Sequence, residues 1–201
     1  MADRKVYKTL ASSSEGEYKE KGSKFLSYAF PVQSVEDFQA QLKMMKELHD
    51  ASNFCYAYRI GLNGETYRAY DDNEPSGSAG MPIYNQLRSF EITNVGVIVA
   101  RYYGGSKLGI PGLIHAFKES TNDALDQNEF IEEEVQVVFE LQFTYVQMND
   151  VMILIKRNKA KVIQQDFDND CLLKASVQES VYSDIAGIIE NMQGVSLKKT
   201  D

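Results

Sequence analysis

The segment VGVIVARYYGGSKLGIPGLIHAF (95–117) decides the fold of the first part of this chain. It opens with an apolar run that predicts a buried strand over residues 94–100. Four glycines follow between positions 104 and 112, and Pro111 suits the first turn of a helix. The segment therefore predicts a buried strand, a glycine-rich loop and a helix in direct succession.

The glycine-rich part of this segment is a candidate anion-binding site. Glycine lets backbone N–H groups come close to a ligand, and the N terminus of a helix favours negative charge. Cationic side chains beside it would add donors suited to phosphate or carboxylate. The candidate residues are Arg101, Gly104, Gly105, Lys107 and Gly109. The alternative is that the glycines only permit a tight turn and close packing. The spacing fits neither a Walker A loop nor a dinucleotide fingerprint, so no cofactor is predicted.

A second candidate segment, DDNEPSGSAG (71–80), supplies three acids within four residues, Asp71, Asp72 and Glu74. Such a cluster could hold a divalent cation or act as an acid and base. Equally, the acids could pair with a nearby arginine and fix the loop. The arginines considered are Arg59, Arg68 and Arg101. Without a further type of ligand, the ion-pair interpretation is preferred and no metal site is predicted.

The remaining reactive side chains are interpreted as structural. A catalytic thiol needs a nearby base, and neither His49 nor His115 is close to Cys55 in the sequence. We therefore expect Cys55 to be a buried structural cysteine and His115 to be a surface or packing residue. Tyr102 and Tyr103 could stack on nucleic-acid bases, or belong to the core or its rim.

The rest of the first 132 residues mixes strands and helices. The pattern predicts strands over 6–10, 16–21, 24–30, 54–60 and 65–70, a helix opened by Ser34, and a helix over about 82–90. Asn63-Gly64 lies between two strands and suits the positive φ angles of a tight hairpin turn. Ser34-x-x-Asp37 resembles a capping box.

Residues 133–201 have a different pattern of apolar residues, which predicts a second domain. Apolar residues alternate from Val135 to Phe143, Thr144-x-x-Gln147 caps a helix, and a hairpin over 161–177 turns at 168–170. A second helix and a strand over 194–198 complete a β-α-β-β-α-β order, which is the ferredoxin-like pattern. We place the boundary at an exposed acidic step, Glu132–Glu134, which gives domains 1–132 and 133–201 and an α+β fold class.

Composition limits the function classes. The 201 residues carry a formal net charge of -8, which argues against nucleic-acid binding over the whole surface but leaves a local basic patch open. The N terminus lacks the apolar core of a signal peptide, and the longest apolar runs are too short to cross a membrane. We therefore predict a cytoplasmic protein with two reduced thiols and no membrane partner.

Four stretches of the chain resemble the YigZ/IMPACT family. They are KGSKFLSYAFPV (21–32), CYAYRIG (55–61), DDNEPSGSAG (71–80) and RYYGGSKLGIPGLIHAF (101–117). The resemblance implies a first domain in the two-layer α/β fold of small-subunit ribosomal proteins and GHMP kinases. It also implies that the ferredoxin-like second domain is similar to the last domain of elongation factor G. The family pattern adds Arg59 and Ser76 to the candidate ligand-binding and acidic-loop residues.

The chain departs from the family pattern at two positions that matter for a site. Asn53 stands where members usually carry a histidine, which puts any metal or acid–base role of that histidine in doubt. His115 stands where arginine is common, which removes a positive charge beside the glycine segment.

Two functions follow from the residues and the resemblance. The first is a non-enzymatic, translation-associated protein that binds RNA or another phosphate-bearing ligand through the glycine segment, with RNA or ribosome-associated factors as partners. Eukaryotic members of the family regulate translational control, but they act through an extra domain without a counterpart here. The alternative is an enzyme acting on a small phosphorylated or carboxylated substrate, with the acids of residues 71–74 as acid–base or metal groups. No catalytic residue is assigned, and a homo-oligomer stays open.

Overall fold

The computed structural model describes residues 6–167 and 171–200. Contacts within the chain divide it into two compact units, Tyr7–Glu133 and a second that comprises Val6 and the residues from Glu134 onward. Each unit has its own buried apolar core, and each is described by itself below.

The first unit is built on a five-stranded antiparallel sheet. Its strands follow a short strand β1 (Val6–Leu10) and are β2 (Ser14–Glu20), β3 (Ser23–Pro31), β4 (Asn53–Ile60), β5 (Thr66–Tyr70) and β6 (Val95–Tyr102). The order across the sheet is β2-β3-β6-β4-β5, and every neighbouring pair is antiparallel. β6 lies at the centre and is buried along almost its whole length. Its continuous apolar sequence follows from this position, because both faces of a central strand are covered.

Helices cover both faces of this sheet. They are α1 (Val35–Leu48), α2 (Gly80–Ser89) and α3 (Gly109–Asp126). Cys55 and Val97 point to the core formed with α2 and α3, whereas Tyr56 and Ile98 point to the core formed with α1. The unit therefore has three layers rather than the predicted two, because α1 packs Phe38 against the second face. Ser34 caps α1 as predicted, since its side chain accepts a hydrogen bond from the N–H of Asp37 at 3.0 Å.

A small two-stranded sheet pairs β1 with β7 (Phe130–Glu134), a strand that the sequence did not predict. The sequence predicts an exposed acidic step at the three consecutive glutamates of β7. In the structure Glu134 is only 7% exposed, and the hydroxyl of Tyr7 donates to Oε2 of Glu133 at 2.9 Å. The expectation of an exposed acidic step is therefore wrong at Glu134, although Glu132 is exposed, because pairing with β1 brings part of this segment out of water.

The second unit has the predicted β-α-β-β-α-β order. Its elements are β8 (Gln136–Phe143), α4 (Met148–Arg157), β9 (Lys161–Phe167), β10 (Cys171–Gln178), α5 (Glu179–Ile189) and β11 (Val195–Thr200). The strands form one antiparallel sheet in the order β11-β8-β10-β9. The predicted alternation on β8 is confirmed, since Phe139 and Leu141 are buried in the core with Ile155 and Ile185. The capping box of Thr144 and Gln147 is also confirmed.

One predicted turn is wrong and another lies outside the described residues. The connection between β4 and β5 is not a two-residue turn at Asn63-Gly64, because it spans residues 61–65 with positive φ at Gly61 and Gly64. The turn predicted at 168–170 falls outside the part of the chain that the structure describes. Among the described residues, every helix is too short or too polar to cross a bilayer.

Candidate functional site

Two loops begin where neighbouring parts of the five-stranded sheet end. The acidic loop (residues 71–79) connects β5 to α2, and the glycine loop (residues 103–108) connects β6 to α3. Arg101, near the end of β6, joins them, because its Nη1 donates to both carboxylate oxygens of Glu74 at 2.5 and 2.6 Å. The two segments singled out from the sequence are therefore neighbours in space.

The ion pair between Arg101 and Glu74 is almost completely buried. The side chain of Arg101 is 9% exposed and that of Glu74 is 4% exposed. The guanidinium carbon lies 5.5 Å from the ring of Phe25 and 5.5 Å from the ring of Tyr103, the first residue of the glycine loop. A buried pair of this kind is costly to break, since the partner left behind is an uncompensated charge. The preferred ion-pair interpretation thus describes Glu74 correctly, with Arg101 as the partner.

Asp71 is a helix cap that acts from within the acidic loop. Its Oδ1 accepts hydrogen bonds from the N–H groups of Ala79 and Gly80 at 2.9 and 2.8 Å, and its Oδ2 accepts from Gly77 at 2.8 Å. These amides lie at the N terminus of α2, where N–H groups have no partner within the helix and negative charge is favoured. Asp71 therefore fills the anion position of α2 with a side chain of the same loop.

Asp72 and Cys55 form hydrogen bonds that connect the acidic loop to β4. Oδ2 of Asp72 accepts a hydrogen bond from the N–H of Phe54 at 2.9 Å, and the thiol of Cys55 donates to the carbonyl of Asp71 at 3.0 Å. Burial, with the nearby carboxylate of Glu74, raises the pKa of the Cys55 thiol. Cys55 is thus a buried structural thiol, as predicted.

In the glycine loop, Gly104 is required by close packing. A Cβ at Gly104 would lie 1.9 Å from the carbonyl carbon of Gly22 and 2.2 Å from the nitrogen of Ser23. The N–H of Gly104 also donates to the hydroxyl of Ser23 at 3.2 Å. The turn between β2 and β3 therefore forms a wall of the glycine loop. At this one position, the packing interpretation of the glycines is the correct one.

The next residues of the glycine loop face open space. Gly105 has φ of 84°, and a Cβ there would meet no atom within 4 Å. Gly105, Ser106 and Lys107 are all exposed, and their N–H groups donate no hydrogen bond within the described residues. The ammonium of Lys107 likewise has no carboxylate partner among the described residues. Among the described residues, these three amides and the Lys107 ammonium are free donors of the glycine loop.

The N terminus of α3 follows directly and has no anion of its own. Its N-cap residue, Leu108, makes no side-chain cap, and its first turn contains no acidic residue. Gly109 is the first residue of the helix, with φ of 72°, and the next residue, Ile110, is 53% exposed. The helix therefore presents the positive end of its dipole beside the exposed glycine loop.

Arg59 is not brought to this site. In the pairing of β4 with β6, Asn53 lies opposite Arg101 and Arg59 lies opposite Val95. At a rise of about 3.3 Å per residue, Arg59 is roughly 20 Å farther along the sheet. There it donates to the carbonyl of Ile92 at 3.0 Å and to that of Asn63 at 2.7 Å. It supports the loop between β4 and β5.

The other candidate side chains divide into exposed and packed residues. Ser76 is exposed on the acidic loop. Tyr103 is 50% exposed, whereas the hydroxyl of Tyr102 lies 3.0 Å from Nδ1 of His49, so only Tyr103 has a largely free ring. His115 is a surface residue of α3 that contacts the ring of Tyr18. At the position of the missing family histidine, Asn53 begins β4.

The turn of residues 21–23 borders the glycine loop, and it was not among the site residues predicted from the sequence. Lys21 is exposed at this turn with φ of 46°, and Gly22 follows with φ of 82°. A signal was present, because Gly-Ser-Lys occurs both at 22–24 and at 105–107. The two copies lie on segments that touch each other at Gly104. Lys21, next to Gly22 on this turn, is therefore an exposed cation adjacent in sequence to the contact with Gly104.

The fold and the site define a class of two-unit α+β proteins in which an acidic loop and a glycine loop meet through a buried arginine–glutamate pair. The family model of the Impact N-terminal domain matches residues 21–125, which include both loops. This chain belongs to the IMPACT family.

Relatives and a solved structure extend the likeness beyond the matched domain. IMPACT family member YvyE of Bacillus subtilis is 30% identical over 72% of this chain and 67% of its own. IMPACT family member YigZ of Escherichia coli is 27% identical over 89% of each chain. A crystal structure described as that of a hypothetical protein covers 98% of each chain with a TM-score of 0.78 and 25% identity. The likeness therefore includes both units of the chain.

Proposed function

We propose that this protein is a non-enzymatic, translation-associated binding protein whose glycine loop recognises RNA or another phosphate-bearing ligand. The observation that carries the proposal is the set of free donors at residues 105–107. Exposed backbone N–H groups at the start of a helix suit phosphate oxygens, and Lys107 adds a positive charge. The link to translation rests on the family, whose eukaryotic members regulate translational control.

The acidic loop supports a binding role over the enzymatic alternative. The carboxylates of Asp71, Asp72 and Glu74 already accept hydrogen bonds from backbone amides or from Arg101. A general base or metal ligand needs lone pairs that are free to meet a substrate or an ion. The described residues also contain no group of three or more His, Cys, Asp and Glu side chains suited to a metal ion. The enzymatic alternative thus has no observation that favours it.

The second unit would contribute a sheet face to the same function. The strand order β11-β8-β10-β9 supports the ferredoxin-like comparison, and the similarity to the last domain of elongation factor G is part of the proposal. On the face away from the core, Glu140 lies between Lys174 and Lys198 in the strand register. We place the protein in the cytoplasm, and we keep the predicted domains 1–132 and 133–201, with RNA or ribosome-associated factors as partners.

The proposal is tested by the salt dependence of RNA binding. Fluorescence anisotropy with a labelled single-stranded RNA would compare wild type with Lys107→Gln and with Lys43→Gln, an exposed lysine on α1. Each phosphate contact contributes about -0.7 to the slope of log K against log salt for single strands, so Lys107→Gln should reduce the slope by nearly that amount. Lys43→Gln should leave it unchanged.

Two results would contradict the proposal. A wild-type protein without salt-sensitive binding to RNA, and without thermal stabilisation by phosphate or tripolyphosphate, has no phosphate site. Equal losses for Lys107→Gln and Lys43→Gln would mean that the net charge of the surface, and not the glycine loop, controls binding.

A further inference from the structure

Arg101 has donors that its internal partner does not use. A guanidinium carries five N–H donors, and a fork-to-fork pair with a carboxylate occupies two of its nitrogens. Here both oxygens of Glu74 meet the same nitrogen, Nη1. Arg101 as a whole is only 7% exposed, and its Nε is buried without a hydrogen-bond partner within the described residues. A buried charged group left partly unsatisfied is costly and calls for an explanation.

The position of the guanidinium offers an explanation for this unsatisfied donor. It lies against the ring of Tyr103, the first residue of the glycine loop, two residues before the free amides begin. Arg101 therefore borders the surface that we propose for phosphate. The guanidinium is an unsaturated donor at the edge of a surface that already offers unpaired N–H groups.

The acidic loop has anchors that do not involve Glu74. The ends of that loop are held by other residues, since Asp71 binds the amides of Gly77 and Ala79, and Asp72 binds the amide of Phe54. Between these anchors, Pro75 is exposed. Asn73 and Ser76 are exposed as well, so the outer part of the loop borders solvent.

We propose that Glu74 is a displaceable internal occupant of the anion position on Arg101, and that the phosphate-bearing ligand of the proposed function takes this position by its terminal phosphate. The inference rests on that function and names the chemical group that is recognised. A terminal phosphate carries a charge of about -1.5 to -2 at pH 7 and three acceptor oxygens. A carboxylate or an internal phosphodiester carries only one negative charge. The terminal group is therefore the form of phosphate that competes best with Glu74 for a planar guanidinium.

The matched variants are Glu74→Gln and Asp72→Asn. Both remove one negative charge from the acidic loop, but only Glu74 contacts Arg101, and the amide oxygen introduced by Asp72→Asn can still accept from the N–H of Phe54. Anisotropy would be measured with single-stranded RNA carrying either a 5′-phosphate or a 5′-hydroxyl. We expect Glu74→Gln to bind 5′-phosphate RNA about tenfold more tightly than wild type, with less than about a twofold change for Asp72→Asn. The gain should disappear with 5′-hydroxyl RNA and in the double variant Glu74→Gln, Arg101→Gln.

The outcomes separate this inference from the function on which it rests. Equal affinities for Glu74→Gln and Asp72→Asn, with salt-sensitive binding by wild type, would overturn the role of Glu74 and leave the proposed function intact. If neither wild type nor Glu74→Gln binds any phosphate probe, the proposed function itself fails. Uridine 5′-monophosphate, added as a competitor, tests whether a small phosphomonoester is enough for binding. Its competition with 5′-phosphate RNA supports the recognition of a terminal phosphate.

Hydrogen exchange on the wild-type protein gives a test that does not depend on the folding of a variant. The N–H of Glu74 donates to the carbonyl of Asp71 at 3.0 Å, so its exchange reports on the position of the loop. Saturation with 5′-phosphate RNA should accelerate exchange at Glu74 while the capped amides of Ala79 and Gly80 stay protected. Binding of the RNA without faster exchange at Glu74 would overturn the displacement.

Discussion

The N termini of α2 and α3 meet the same physical requirement in opposite ways. Neither helix has a side-chain cap at its N-cap residue, Ala79 or Leu108. At α2, the carboxylate of Asp71 reaches across the acidic loop and accepts hydrogen bonds from the first amides. At α3, no acid lies in the first turn, and the amides of residues 105–107 have no partner among the described residues. One helix carries its own anion and the other does not.

In the acidic loop an internal carboxylate pairs with the backbone N–H donors, whereas the glycine loop leaves N–H donors open to an anionic ligand. Both segments are rich in glycine and both precede a helix, so composition alone ranks them alike. The acidic loop uses its carboxylates internally, in hydrogen bonds to backbone amides and to Arg101. The glycine loop keeps donors that water or a ligand must satisfy. This comparison supports the proposed binding surface at the glycine loop, before α3, and gives the acidic loop a structural role beside it.

The largest expected effect tests whether the glycine loop is itself part of the packed structure. Gly104→Ala should lower the free energy of unfolding by about 3 kcal/mol or more, because its Cβ would overlap the backbone of Gly22. Gly105→Ala should cost only about 1–2 kcal/mol, since its site is open and only the positive φ is strained. Urea denaturation followed by circular dichroism measures both. Equal losses would mean that the packing at Gly104 relaxes freely.

The next effect tests whether α2 depends on its internal anion. Asp71→Ala leaves the amides of Gly77, Ala79 and Gly80 without their acceptor, and we expect a loss of about 2–3 kcal/mol. Asp71→Asn keeps one oxygen for the two amides on Oδ1 and should lose less. The same denaturation experiment applies. If the alanine and asparagine variants were equally stable, the hydrogen bonds to Asp71 would not be what holds the loop.

Much of the fold was predictable because hydrophobic period and capping residues are local signals. The apolar run of β6, the alternation of β8 and the caps at Ser34 and Thr144 each depend on residues close together in the sequence. β7 was missed because its glutamates oppose the usual pattern, and only pairing with β1 makes it a strand. The three-layer arrangement was also missed, since no local pattern tells which face of a sheet a helix covers.

The sequence indicated the two loops of the candidate site but not the bonds between them. The resemblance and the glycines singled out these two loops, and in the structure they meet through Glu74 and Arg101. That Arg101 is buried against Glu74 depends on a contact between residues 27 positions apart in sequence. Arg59 belongs to the family pattern, yet the strand register carries it to the other end of the sheet. Sequence patterns name such residues without showing their partners.

A smaller effect is expected from giving α3 an anion of its own. Ile110→Glu places a carboxylate in the first turn of α3, where it should stabilise the protein by about 0.5 kcal/mol through the helix dipole. The same carboxylate should compete with phosphate and weaken RNA binding. Ile114→Glu, one turn later at a similarly exposed position, is the matched control. The comparison of the two helices fails if both variants reduce binding equally or if Ile110→Glu binds as wild type does.

The smallest effect on stability comes from probing the two loops with thiol chemistry. Cys55 lies behind the acidic loop with no exposed surface, and its raised pKa further disfavours the reactive thiolate. Ser106→Cys would place a second thiol on the exposed glycine loop at almost no cost in stability. With a thiol reagent such as Ellman's reagent at pH 8, Ser106→Cys should label at once. Cys55, like the buried Cys171, should label only as fast as the protein unfolds. Rapid labelling of Cys55 in the folded wild type would show that the acidic loop opens as readily as the glycine loop, and the contrast between sealed and open helix termini would then be lost.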